Sequence, residues 1–265
     1  MRYRILLLAA VLVFVSAAPV YSHQKGNLEV EIVSDRGDAF VALPQKEIEQ
    51  GSTHVIKRYL EARKGENYSI VVRNNSSERV GVVIAADGRN IITGKKSYLK
   101  NNEMMYIIDP YGSAKYEGWR TDNDTVHRFY FTDIKDSYSV RTFADSSAIG
   151  VIAVAAFREK ERPQMYFDRQ MSKEKAPAAP QLSDKGDSKR LESSAAGTGF
   201  GNEKYSPVVK VEFEPEDVPF EKMLVKYEWH ETLCKKGFLN CRTEEKNRLW
   251  GENEYAPYPP GYSRR

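Results

Sequence analysis

Four histidines and two cysteines are all that this chain of 265 residues offers for imidazole or thiol chemistry. It has no GxSxG elbow and no HExxH, so the signatures that would point to an elbow nucleophile or a zinc-bound water are missing. It also has little net charge. Forty Lys and Arg against 37 Asp and Glu leave +3, which excludes a strongly basic nucleic-acid binder. Only one long apolar run is present, at the N-terminus, and charged residues make up 29% of the chain. A multispan membrane protein is thereby excluded.

That single run has a specific form. Arg2 and Arg4 precede apolar residues from Ile5 to Ala18, and the small residues Val20 and Ser22 sit at minus three and minus one of a cut after Ser22. This is the pattern of a secretory signal peptide over residues 1–22. Read as a membrane anchor instead, the 14 residues reach only about 21 Å as a helix, short of the roughly 30 Å hydrocarbon core. No cysteine follows for lipid attachment. The mature chain is expected to be periplasmic or secreted with no membrane span, and its net charge falls to +1 once Arg2 and Arg4 are gone.

The two cysteines, Cys234 and Cys241, lie close together in LCKKGFLNC. In an oxidising compartment such neighbours pair, so a local disulfide is expected. The alternative is a metal site that adds His230, one helical turn before Cys234; structural zinc takes four ligands, and no fourth is evident.

From Asn27 to Phe157 the patterns are those of strands. Leu28, Val30 and Ile32 alternate with polar neighbours, and Tyr68, Ile70 and Val72 share one face. Val80–Ala86 and Ala148–Phe157 are apolar on both faces, which suits strands covered on both sides, the second favoured by its β-branched residues. Asp87-Gly88 between the first of these and Arg89 is a hairpin signal. Further strands are expected at 104–108, 114–119 and 126–132. The fold class is all-β, a β-sandwich-like domain over residues 23–160, with a barrel as second choice.

Beyond Arg158 large hydrophobics become scarce. Leu182, Leu191 and Phe200 are the only three between Ser172 and Lys204, too few to offset ordering entropy by burial. Residues 161–204 are therefore expected to be a linker, mostly disordered. Alternation resumes with Val209, Val211 and Phe213, then Val225, Tyr227 and Trp229. These predict a C-terminal β-hairpin module over 205–241 that is too small to fold alone. A Pro- and Tyr-rich tail occupies 242–265.

The blocks YSIVVRNNSSERVGVVIAADGRNIITGKKS, IIDPYGSAKYEGWR, FYFT, DSYSVRT, IGVIAVAAFREKE and GTGFGNEKYSPVVKVEFE resemble a family of secreted, β-rich proteobacterial proteins known mainly as uncharacterised. The resemblance implies export and a β-rich fold. It supplies no activity and no catalytic residues.

Chemistry-bearing residues find bland explanations. His23, His54, His127 and His230 have no base partner visible in sequence. Asp87, Asp109 and Asp133 sit at strand ends where turns account for them. GTGFG, with Gly197, Gly199 and Gly201, lacks GxGxxG spacing and the strand–helix context for a phosphate, so it reads as a flexible joint, and no cofactor is expected. The most suggestive feature is aromatic: Tyr98 to Phe143 holds 10 aromatics in 46 residues, against 11% for the chain. Sandwich cores absorb aromatics, but an exposed patch of Tyr111, Tyr116, Trp119 and Arg120 is a candidate binding site. The expected function is non-enzymatic: a secreted or periplasmic binding protein of the cell envelope, its partner a protein or a glycan. The alternative is a carbohydrate-active or hydrolytic envelope protein using an aromatic groove around Trp119.

Overall fold

In the computed structural model, described for residues 27–161 and 195–241, the alternating segments pair into two sheets. The strands are β1 (Leu28–Ser34), β2 (Ala42–Gln50), β3 (Thr53–Ala62), β4 (Asn67–Asn74), β5 (Val80–Ala86), β6 (Arg89–Asn90) and β7 (Tyr106–Ile108). They continue with β8 (Ser113–Tyr116), β9 (Gly118–Arg120), β10 (Thr125–Asp133), β11 (Val151–Arg158), β12 (Ala196–Thr198), β13 (Glu203–Tyr205) and β14 (Glu221–Trp229). Two short helices, α1 (Tyr138–Phe143) and α2 (His230–Lys235), accompany them. One sheet runs β1-β4-β10-β12, with β8 on β4 and β9 and β13 on β10; the other runs β2-β3-β14-β11-β5-β6, with β7 on β5. The result is sandwich-like, with no closed barrel among the described residues.

The core lies between the sheets because period-2 alternation aims one face of each strand inward. Tyr68, Ile70, Val72, Phe129 and Phe131 come from the first sheet, and Leu60, Ile84, Ile152, Val225 and Tyr227 from the second, all buried. The Tyr68 ring stacks on Phe129 and Phe131 at 5.3 and 4.4 Å between centroids, and Phe131 meets Tyr227 at 5.1 Å. The doubly apolar strands β5 and β11 pair with each other in the second sheet. Their outer face carries a smaller cluster of Val83, Ala155 and Phe157, covered by Leu99 and Met105. Asp87 and Gly88 turn between β5 and β6 with φ of 48° and 75°, the two positive values that a tight hairpin of this hand requires.

The C-terminal region departs from expectation. Val225, Tyr227 and Trp229 do lie on a strand, but not on a hairpin with Val209–Phe213. β14 inserts between β3, parallel over 9 residues, and β11, antiparallel. Its buried side chains, Met223, Val225 and Tyr227, find a place in the main core that a two-stranded ribbon could not offer them. The linker also ends earlier than expected. Ala196–Thr198 pairs with β10 at Phe131–Asp133, and Glu203–Tyr205 pairs with β10 at Thr125–His127.

GTGFG is therefore not a flexible joint but a strand and its continuation, and its glycines answer to close packing. A Cβ at Gly199 would stand 2.2 Å from the Tyr130 ring, and one at Gly197 2.6 Å from the Ser137 Cβ. The expected signal peptide (1–22), the linker segment 162–194 and the tail 242–265 lie outside the described residues. Among the described residues no helix is long and apolar enough to cross a membrane.

Candidate functional site

Tyr116 and Arg120 meet through Tyr106, but the four residues of the expected aromatic patch share no exposed surface. Trp119 is 2% exposed and its Nε1–H donates to the Gly199 carbonyl at 3.0 Å. Its ring packs on Phe129 and Tyr138, at 5.3 and 4.5 Å between centroids. Tyr116 is also buried, tilted against Tyr106 at 4.4 Å. Three residues apart on an unbroken strand, Tyr116 and Trp119 would face opposite ways. The interruption at Glu117 between β8 and β9 resets the alternation and turns both inward. Arg120 is occupied locally, donating to the Tyr106 hydroxyl at 2.9 Å and to the Ser206 carbonyl at 2.9 Å. Only Tyr111 is exposed, on a loop at φ 54°. An aromatic groove around Trp119 is not formed among the described residues.

A fully buried, strongly perturbed acid lies elsewhere, at a position that the sequence assigned only to a turn. Asp87 directly follows the fully buried strand β5, and its carboxylate points into the sandwich. It accepts from the Gly150 amide at 2.8 Å, the Thr198 amide at 2.6 Å and the Tyr227 hydroxyl at 2.5 Å. The chain continues from Tyr227 to the Thr198 hydroxyl at 2.7 Å and on to Tyr68 at 2.8 Å. Burial pushes the Asp87 carboxyl up from 3.8 to about 6, against the opposing pull of its donors. Burial likewise drives both tyrosine hydroxyls well upward. With the acid ionised, each hydroxyl donates toward Asp87; with it protonated, the direction of the chain can reverse. Asp87, Thr198, Tyr68 and Tyr227 are at most 1% exposed, so this relay ties β4, β5, β12 and β14 together and meets no solvent. A turn explained Asp87 in sequence. The available signal was its place at the end of a strand with no exposed face.

One end of the sandwich opens into a cleft of about 260 Å³ lined by Ser34, Arg36, Phe40, Glu61, Glu66 and Leu239, among others. Ser34 Oγ is buried there without a hydrogen-bond partner among the described residues. Leu239 belongs to the loop closed by the Cys234–Cys241 disulfide. Beside that disulfide, His230 Nε2 lies 3.6 Å from Cys241 Sγ, while its Nδ1 meets Glu61 Oε1 at 3.0 Å. One ligand atom from each of His230, Cys234 and Cys241 falls within 4.8 Å of the others.

The third feature is a strap joining β13 to β14. It is fastened at one end by Ser206 N to Asp124 O at 2.6 Å and Val208 N to Asn123 O at 2.9 Å. At the other end Lys160 N donates to Glu214 O at 2.8 Å, and Glu216 N to Arg158 O at 2.9 Å. Phe213 anchors it beside Gly81, where a Cβ would come within 2.6 Å of the Phe213 ring. Between the anchors, residues 209–212 are all exposed, Val209 by 85% and Val211 by 56%. No strand pairing forms along Val209–Val211 among the described residues.

No protein-family model, curated protein or solved structure matches the chain.

Proposed function

We propose that this chain is a non-enzymatic binding protein, secreted or periplasmic, that docks an extended segment of an envelope protein along its strap. The observation that carries the reading is the exposure of residues 209–212 between two fixed anchors. Valines at alternate positions with Lys210 and Glu212 between them suit a strand, and the sandwich already holds both ends of the segment. A partner strand added here gains affinity from backbone hydrogen bonds and selectivity from alternate side chains. Tyr205 and Val218, also exposed, extend the apolar surface beyond the two anchors.

Export is supported by the N-terminal pattern of residues 1–22 and by the disulfide, which suits an oxidising compartment. A binding role rather than turnover is supported by the relay itself. The two acids that burial shifts most, Asp87 in the relay and Glu221 on β14, are 1% and 3% exposed, and Asp87, tied to three donors, serves cohesion.

The test is the double variant Val209→Asp/Val211→Asp in the mature full chain. Both side chains are exposed, so urea unfolding stays within about 0.5 kcal/mol of the native chain. Capture of a periplasmic protein by the native chain is expected to fall at least tenfold in the variant. Capture that survives the double substitution unchanged rejects the strap as the docking segment.

A further inference from the structure

We propose that Cys234, Cys241 and His230 form a redox-gated site for zinc, closed while the disulfide is intact and opened by reduction. The oxidised structure already gathers the three side chains, with their ligand atoms within 4.8 Å of one another. Two thiolates and one imidazole form a donor set suited to a borderline-soft d¹⁰ cation, and three protein ligands leave the fourth tetrahedral position to water or another small ligand.

A second observation sets this cluster apart from an ordinary disulfide with a neighbouring histidine. Glu61 Oε1 holds His230 Nδ1 at 3.0 Å and leaves Nε2 directed toward Cys241 Sγ, 3.6 Å away. A carboxylate on the far nitrogen fixes the tautomer and orientation of a metal-binding histidine. Glu61 comes from β3, whereas His230 begins α2 directly after β14. The parallel pairing of β3 with β14, which puts Glu61 opposite Glu228 and Ala62 opposite Trp229, brings them together. The arrangement therefore belongs to the folded sandwich and not to the LCKKGFLNC peptide alone.

The chemistry balances with a dithiol reductant. The dithiol transfers two electrons and two protons to the disulfide, the S–S bond breaks to give two thiols, and the reductant departs as its own disulfide. Zinc then replaces the two thiol protons, which pass to solvent.

The experiment uses the full mature chain, reduced with a phosphine and titrated with Co²⁺ as a spectroscopic substitute for zinc. The expected result is one equivalent of Co²⁺ bound, with thiolate-to-cobalt charge transfer in the near ultraviolet that is abolished by added Zn²⁺. The oxidised chain gives no such band. His230→Ala weakens binding at least tenfold, and Glu61→Gln weakens it about tenfold, the size of a lost carboxylate behind a ligating imidazole. The site is overturned by binding to the oxidised chain equal to that of the reduced one, by a Cys234→Ser/Cys241→Ser chain that binds as well, or by a His230→Ala chain that does so. Affinity unchanged by Glu61→Gln also overturns it. The ligands would then be acting as a short local peptide, and this readout decides the matter even if reduction loosens the fold.

Discussion

Replacing Tyr227 with Phe removes a single oxygen from the centre of the sandwich, and the structure fixes what that oxygen does. It donates to Asp87 Oδ1 at 2.5 Å and contacts the Thr198 hydroxyl at 2.7 Å. Asp87 would keep its two amide donors, from Gly150 and Thr198, but lose the hydroxyl while remaining buried. A hydrogen bond to a charged group contributes about 1.5–3 kcal/mol, and an under-satisfied buried charge adds to the loss. The expected destabilisation at pH 7.5 is about 3 kcal/mol. For a chain of this size, at about 2–4 °C per kcal/mol, that is a fall in Tm of roughly 6–12 °C. Urea unfolding of the oxidised mature chain measures it. The relay also predicts a pH dependence for the substitution. At pH 5 the Asp87 carboxyl, which titrates at about 6, is mostly protonated, so the lost bond is between neutral groups. The loss should then shrink to about 1 kcal/mol. A loss below about 1 kcal/mol at pH 7.5, or one that does not change between the two pH values, would refute the relay as a source of cohesion.

Other consequences follow from the same geometry. Asp87→Asn cannot titrate, so it isolates the linkage. Because the folded carboxyl lies above its ordinary 3.8, the folded state holds the proton longer, and the stability this gives is lost as pH rises from about 4 through 6. The native chain should lose about 3 kcal/mol relative to Asp87→Asn across that interval, as read from paired urea curves. Gly199→Ala places a methyl 2.2 Å from the Tyr130 ring and should cost about 2 kcal/mol; in a Tyr130→Ala background most of that penalty should vanish, a coupling that a double-mutant cycle detects. Deleting residues 205–265 removes β14 from between β3 and β11, so the truncated chain should show no cooperative unfolding transition, whereas a hairpin appendage would have left one.

Much of the framework is legible in the residues. Tyr68, Ile70 and Val72 alternate inward as their spacing predicts, and Val80–Ala86 and Val151–Arg158 are the paired, doubly covered strands that their composition implies. What stayed hidden has physical causes. The strand β2, ALPQKEIEQ, has no apolar face because it pairs only with β3 at the sheet edge. Its Pro44, charged side chains and irregular register at Pro44/Lys46 guard that edge against further pairing. The strand β12 is three residues long and carries Gly and Thr where a strand pattern would show Val or Ile. Its close neighbours Ser137 and Asp87 are far away in sequence. Trp119 was legible as a strand residue but not as a core one, since the break at Glu117 inverts the alternation. Glu61 and His230 lie 169 residues apart in sequence, and only the parallel register of β3 with β14 makes them partners.

A photoreactive amino acid placed at Val211 in the full chain, inside intact cells, reports whether the strap is the docking segment. A matching one at Val41, 76% exposed and outside the strap, is the control. Docking along the strap gives a discrete cross-linked species with one envelope protein from position 211, absent from position 41 and suppressed by Val209→Asp. Cross-links from 211 to a second copy of this chain alone, or identical products from both positions, would contradict it.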